Sequence, residues 1–237
     1  RTSVPLRTLP RYLPAAFVAV EDKRFYQHNG VDVVGIAGAL KDAVLGDARG
    51  ASTITQQLVG NLHPDQIDRR DRSPERKLRE QAAALEMERR YSKEQILEGY
   101  LNAIYFGHGR YGVDAAARYY FGKPAAEVTL AEAATLAGMP KSPVLYDPSR
   151  HPERARDRRN TILDLMAEQG LVTRAQAAAA KAEPLRTAPD ASDIAPWFVD
   201  VVRIQAERAG VKVRDGGFRI VTTLDPALQR AAVDALA

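Results

Sequence analysis

Helix-start punctuation recurs so often between residues 73 and 176 that it limits this chain to a mainly helical fold. Ser73 followed by Pro74 supplies an N-cap and a first helical residue for a helix reaching Arg90. Ser92 with Gln95, Thr129 with Glu132 and Thr173 with Gln176 each have the capping-box spacing, in which cap and third residue satisfy each other's free amides. Upstream, Pro14 reads as the first helical residue of the run Ala15 to Val20, which ends in Glu21 and Asp22. Pro152 to Gln169 forms another helix, stopped by Gly170, and Pro196 to Ala209 one more, stopped by Gly210.

Two segments depart from this pattern. Residues 41 to 72 carry Gly46, Gly50, Gly60, Pro64 and a run of Asp and Arg, which predicts a long irregular connection. Near the end, Phe218, Ile220 and Thr222 alternate with Arg219 and Val221 before Asp225 and Pro226 start a helix, which predicts a strand. A helical block to residue 185 and a Pro-containing, β-containing linker over 186–237 are therefore expected. With 45% hydrophobic and 27% charged residues, the 237-residue chain is composed like a globular protein. No stretch approaches the roughly 18 apolar residues of a transmembrane helix. The absence of cysteine excludes disulfides, thiol nucleophiles and thiolate metal sites.

Three clusters carry candidate chemistry. Glu21 and Asp22 leave an apolar helix, followed by His28, Gly30 and Asp32. A carboxylate emerging from an apolar face is partly desolvated, which suits general base work; residue types alone favour a plainer polar helix end entering a turn at Asn29 and Gly30. Next, Ser52, Thr53, Thr55, Gln56 and Gln57 form a dense row of neutral hydrogen-bonding groups after a glycine turn. Such groups suit sugar hydroxyls and phosphate oxygens, although a Thr-rich edge strand has the same composition. Finally, Arg76 and Lys77 precede Glu80 by four and three residues and so share one side of a helix, with Leu78, Ala82 and Leu85 forming a separate stripe expected to face the core. Two cations beside one carboxylate can hold a pyrophosphate; ordinary ion pairing on a solvated face is the simpler account.

Other chemistries are disfavoured. The basic run around residues 69 to 79 lacks interleaved aromatics and is diluted by Asp65, Asp68, Asp71 and Glu75, so no nucleic acid partner is expected. The formal net charge is only +4. The four histidines are far apart in sequence, which argues against a His-built zinc site. No Ser-x-x-Lys or Lys-Thr-Gly motif occurs, so no serine acyl-transfer site of that type lies within the chain.

Taken in order, the clusters resemble the peptidoglycan glycosyltransferase domain of class A penicillin-binding proteins, glycosyltransferase family 51. Five family motifs are matched. Glu21-Asp22-Lys23-Arg24-Phe25-Tyr26-Gln27-His28-Asn29-Gly30-Val31-Asp32 is similar to the first and Gly50-Ala51-Ser52-Thr53-Ile54-Thr55-Gln56-Gln57-Leu58 to the second. Arg76-Lys77-Leu78-Arg79-Glu80 resembles the third. Tyr91-Ser92-Lys93, Ile96-Leu97-Glu98, Tyr100-Leu101-Asn102 and Tyr105-Phe106-Gly107 together resemble the fourth, and Ala134 to Pro140 with Lys141, Tyr146 and Pro148 the fifth. Gly217 to Asp225 is similar to the linker that leads into a transpeptidase domain.

The resemblance implies a mainly α, lysozyme-like fold that polymerises lipid II into β-1,4-linked glycan with inversion and release of undecaprenyl pyrophosphate. By motif, Glu21 is implied to be the general base and Glu80 the second catalytic acid beside the leaving group. Asp22, His28, Ser52, Thr53, Gln57, Arg76, Lys77, Asn102 and Lys141 are implied to bind substrate. The implied partners are lipid II and its lipid-linked glycan, the membrane and phosphoglycolipid inhibitors of the moenomycin type. The implied location is the outer face of the bacterial cytoplasmic membrane, with an anchor upstream of Arg1. A divalent cation, Mg²⁺ or Mn²⁺, fits a pyrophosphate leaving group; no organic cofactor is called for.

The chain departs from the family pattern where Gly60 replaces a usual lysine and Ala51 a usual glycine. Val33, Val34, Ile36, Ala37, Ala39 and Leu40 are candidates for resting on lipid, although periodicity favours a core role. Two other readings share these features: a lysozyme-like glycoside hydrolase with paired carboxylates, and a non-enzymatic glycan-binding domain.

Overall fold

Helix α1, Tyr12–Glu21, is apolar on nearly every side, and a helix of that kind has to be enclosed by others. The computed structural model describes residues 3–44, 52–67, 71, 73–188, 195–211, 213 and 220–236. In it, Leu13, Ala16 and Phe17 of α1 are fully buried. Pro14 is the third residue of α1, not its first, and still lies in the turn whose amides need no intrahelical acceptor.

The helices that follow are α2, Val33–Val44; α3, Ile54–Leu62; α4, Pro74–Arg90; α5, Lys93–Ala103; α6, Val113–Phe121; α7, Leu130–Gly138; α8, Pro152–Glu168; and α9, Arg174–Ala182. The capping boxes expected at Ser92, Thr129 and Thr173 are all formed, and Ser73 accepts from the Arg76 amide at the start of α4. Helix α7 is built largely of alanine, so α1 and α8 approach it closely; a methyl group on Gly138 would meet Arg158 Cγ at 2.8 Å. Phe17 contacts Tyr100 of α5 and Phe106 edge-on, with centroids 6.2 and 6.1 Å apart. Helix α3 packs on α4 and α5.

The described residues divide into two compact units, Thr2–Arg186 and Thr187–Ala237. The second holds α10, Pro196–Arg208, and α11, Pro226–Leu236, the latter capped by Asp225, whose Oδ1 accepts from Ala227 and Leu228. Of the expected strand, residues 218–219 lie outside the described residues, and 220–222 form no ladder. Within 41–72, the irregular connection is corrected to the end of α2 and a complete helix, α3; residues 45–51, 68–70 and 72 lie outside the described residues. Helix α3 begins with a fourth capping box, Thr53 with Gln56, in the row whose composition also suited an edge strand.

Two apolar stripes are corrected as well. On α4, Leu78 is 64% and Leu85 45% exposed and Ala82 is exposed, while Glu80 and Ala84 are buried. On α2, Val33 is 71% and Val34 68% exposed and Ala37 is exposed, so these three are not core, while Ile36 is half-buried and the side chains of Ala39 and Leu40 lie outside those described.

The turn between α1 and α2 is seated on α4 at Gly30, whose φ is +91° and whose added Cβ would stand 2.7 Å from the Ala84 carbonyl oxygen. Both the left-handed backbone and the close approach demand glycine. Gly30→Ala is expected to lower unfolding stability by about 2–4 kcal/mol, measured by denaturant titration.

Candidate active site

The site begins where α1 ends. Asp22 terminates the helix with its amide on the Val18 carbonyl, and its side chain is buried. An acid at a helix C-terminus faces the negative end of the helix dipole, so it needs other partners. It has them. His28 Nε2 lies 3.0 and 2.9 Å from the two Asp22 oxygens, and the Ile54 amide at the start of α3 donates to Asp22 Oδ2 at 3.0 Å. Gly30 N–H donates to His28 Nδ1 at 3.2 Å, which leaves the ring proton on Nε2, pointing at Asp22. Thr53 Oγ1 donates to the Gly30 carbonyl at 2.7 Å, so the N-terminus of α3 is tied to the α1–α2 turn from both ends.

Helix α3 then reaches a carboxylate and an ammonium with neighbouring side chains. Gln57 Nε2 donates to Glu21 Oε2 at 2.8 Å, and Gln57 Oε1 accepts from the Tyr100 hydroxyl at 3.3 Å. Gln56 Oε1 accepts from Lys77 Nζ at 3.0 Å, and the same ammonium donates to Ser52 Oγ at 3.0 Å and to Glu80 Oε1 at 2.7 Å. Arg76 Nη1 donates to the other oxygen of Glu80. Glu80 is 6% exposed, so the group is not ordinary ion pairing on a solvated face. Gln56 Nε2 and Arg76 Nε are both buried without a hydrogen-bond partner among the described residues. Unpaired buried donors are costly, and an anion's oxygens would satisfy them.

A second buried carboxylate lies on the same helix. Glu88 Oε1 accepts from Thr55 Oγ1 at 2.6 Å and from Lys93 Nζ at 2.7 Å, while Lys93 stands 4.4 Å above the Phe25 ring. This group holds α3, α4, the start of α5 and the α1–α2 turn together. At the start of α2, Arg24 donates to both Asp32 oxygens, with Nη2 to Oδ2 at 2.7 Å, and the Gly35 amide donates to Oδ1 at 2.8 Å. Burial alone would raise the Asp32 carboxyl, but the Arg24 guanidinium and the Gly35 amide outweigh it and hold the carboxyl below its usual range.

These contacts fit a known family. A family model described as Transglycosylase matches residues 1–167. The chain belongs to the transglycosylase family. Among similar proteins, penicillin-binding protein 1F of Bacillus subtilis (strain 168) is 39% identical over 241 residues, covering 98% of this chain and 33% of that protein. Penicillin-binding protein 1A of Escherichia coli (strain K12) is 40% identical over 244 residues, covering 100% of this chain and 28% of that protein. The crystal structure of penicillin-binding protein 1A from Haemophilus influenzae superposes with a TM-score of 0.52 at 25% identity, covering 90% of this chain and 22% of the other. The chain thus spans about a third or less of the length of these relatives. The family's enzymes are peptidoglycan glycosyltransferases, and the mainly helical fold is theirs.

Within this transglycosylase domain the residues singled out from sequence fall into three groups. Glu21, Asp22, His28, Ser52, Thr53, Gln57, Arg76, Lys77 and Glu80 are joined through the first turn of α3. Asn102 is used elsewhere: its Oδ1 accepts from the Val4 amide at 2.9 Å, and its Nδ2 donates to the Val4 and Glu98 carbonyls at 3.0 and 2.9 Å. It pins the N-terminal segment to α5, a structural role in place of the implied substrate contact. Lys141 is exposed on the turn after α7, and no described contact joins it to Glu21 or Glu80. Gly60 is buried on α3, one turn after Gln56. Sequence reasoning missed the Thr55–Glu88–Lys93 group, although Glu88 follows Glu80 by eight residues and Ala84 by four, which places all three on one helix face.

The Arg24–Asp32 pair gives a pH signature. A depressed carboxyl contributes stability above its unfolded pKa of about 4 and loses it as the pH falls through the lower folded value. Arg24→Gln is therefore expected to unfold more readily at pH 7 and to show a shallower loss of stability below about pH 4, read from denaturation midpoints across pH 3–7.

Proposed function

We propose that this chain polymerises lipid II. The 4-hydroxyl of an acceptor N-acetylglucosamine attacks the anomeric carbon of a lipid-linked donor, a β-1,4 bond forms with inversion, and the bond to undecaprenyl pyrophosphate breaks with its electrons going to the leaving oxygen. Glu21 takes the hydroxyl proton. Arg76 and Lys77, held in place by Glu80, meet the negative charge that develops on the pyrophosphate. An inverting displacement of this kind needs a base on one side and positive charge on the other, and no protein nucleophile.

The observation that supports this reading is that one helical turn, residues 53–57, is bonded to Glu21 on one flank and to the Lys77–Glu80 pair on the other. The unpartnered donors Gln56 Nε2 and Arg76 Nε favour an anionic ligand on that second flank. A hydrolase of neutral glycan has no such anion to hold, which is why this reading outranks a lysozyme-like one. Asp22, His28 and Thr53 act here by seating α3, and Ser52, Gln57, Arg76 and Lys77 by facing substrate. With glycine at position 60, positive charge beside α3 comes from Lys77 and Arg76; Lys141 is proposed as a further cation for phosphate. Both Glu80 oxygens are taken by Arg76 and Lys77, and no group of three His, Asp or Glu among the described residues is arranged to hold a metal. The described side chains therefore do not fit a dedicated divalent cation site.

The substrate's polyprenyl tail requires the site to stand near a bilayer. No helix among the described residues is long and apolar enough to cross one. The exposed Val33 and Val34 of α2 and Leu78 and Leu85 of α4 are proposed to rest on its outer face. Phosphoglycolipids of the moenomycin type, which carry a lipid and a phosphate, are proposed to compete at the same place.

Incubation of labelled lipid II with the chain is expected to give long glycan strands. Short sugars released from finished glycan would establish the hydrolase instead, and binding with neither product the glycan-binding domain. Glu21→Gln is expected to cut polymerisation by at least about 100-fold while leaving the circular dichroism spectrum and lipid II binding unchanged. Retained turnover would remove Glu21 from the base role.

A further inference from the structure

We infer that Tyr100 is a positioning residue for Glu21, acting through Gln57. The inference rests on the reading of Glu21 as the base. Tyr100 is fully buried on α5, and its ring is fixed edge-on against Phe17 of α1. Its hydroxyl lies 3.3 Å from Gln57 Oε1, and Gln57 Nε2 lies 2.8 Å from Glu21 Oε2.

A glutamine amide carries an acceptor at one end and a donor at the other, and the two ends are nearly equal in shape. Which end faces Glu21 is therefore decided by what else the amide touches. The phenolic O–H donates to Oε1 and holds the carbonyl end toward α5, so the N–H end is presented to the carboxylate. The reverse orientation would set a carbonyl oxygen against a carboxylate oxygen. A donor aimed at a carboxylate favours its ionised form, which is the form a general base must be in, and it also fixes the plane of the carboxyl group.

The buried ring gives this device its stiffness. Glu21 ends a helix and Gln57 sits in the first turn of another, and both side chains have rotamer freedom that an exposed partner would not remove. A phenol locked between α1, α3 and α5 ties the amide, and through it the carboxylate, to the buried core of the domain. No covalent step is assigned to Tyr100; its hydroxyl touches neither substrate nor the reacting atoms.

Tyr100→Phe keeps the ring and removes only the hydroxyl, so the domain should keep its fold. The expected result is a fall in kcat for lipid II polymerisation of about tenfold with KM changed less than about twofold. The acid limb of the kcat–pH profile should also move to higher pH, because a carboxylate that loses a donor takes up its proton more readily. Gln57→Met should move the acid limb in the same direction, and Tyr100→Phe added to Gln57→Met should move it no further, since the two act on Glu21 as one unit. A Tyr100→Phe protein with wild-type kcat and an unmoved acid limb, in a chain whose Glu21→Gln form is inactive, would overturn the inference while sparing the base assignment. So would a lower kcat with a lower melting temperature and an unmoved limb, which marks packing alone. An active Glu21→Gln protein would overturn the base assignment and the inference with it.

Discussion

The buried Asp22 carboxylate, shared between His28 and the Ile54 amide, is the contact on which the site depends. It stands where two helix ends of opposite polarity meet. The C-terminus of α1 repels an acid, and the N-terminus of α3 attracts one, so the carboxylate is stable only with α3 docked beside it. Thr53 closes the same junction by donating to Gly30, and Gly30 in turn is pressed on the α4 backbone. Once α3 is fixed in this way, its next two side chains have little choice of neighbour. Gln56 meets the Lys77 ammonium and Gln57 meets Glu21.

Helix α4 carries the complementary half. It turns Glu80 and Glu88 inward and Leu78 and Leu85 outward, the reverse of what burial of apolar surface alone would select. Each buried acid is met by cations and hydroxyls from other elements: Glu80 by Arg76 and Lys77, Glu88 by Lys93 and Thr55. Desolvating such charges offsets much of their mutual attraction, so these clusters add geometry more than stability. An inward polar face and an outward apolar one are what the charged, lipid-tailed substrate proposed above calls for.

Much of the helical framework was legible because caps are local. Ser73, Ser92, Thr129 and Thr173 each accept from an amide within one turn, and local spacing is enough to identify them. The same spacing is present at Thr53 and Gln56, but glycine and aspartate around it favoured an irregular connection, and α3 was missed. The α4 stripe was misassigned for a different reason. Periodicity reports that Leu78, Ala82 and Leu85 share a face, and says nothing of whether that face meets protein, water or lipid. Asn102 shows the same limit in the site: its amide is of a type that suits sugars, and it is spent on the backbone of Val4.

The sequence by itself determined where helices start, which residues share a helix side, and the ordered motifs that place the chain in its family, because each of these is set by neighbours a few residues apart. Only the tertiary structure decided that Glu21 and the Arg76–Lys77–Glu80 group lie on two flanks of one helical turn, and that Tyr100 reaches Gln57 from a third helix. Those pairings span 36 and 43 residues of chain. They exist because buried polar groups must find partners wherever packing brings them, and no local pattern records that outcome.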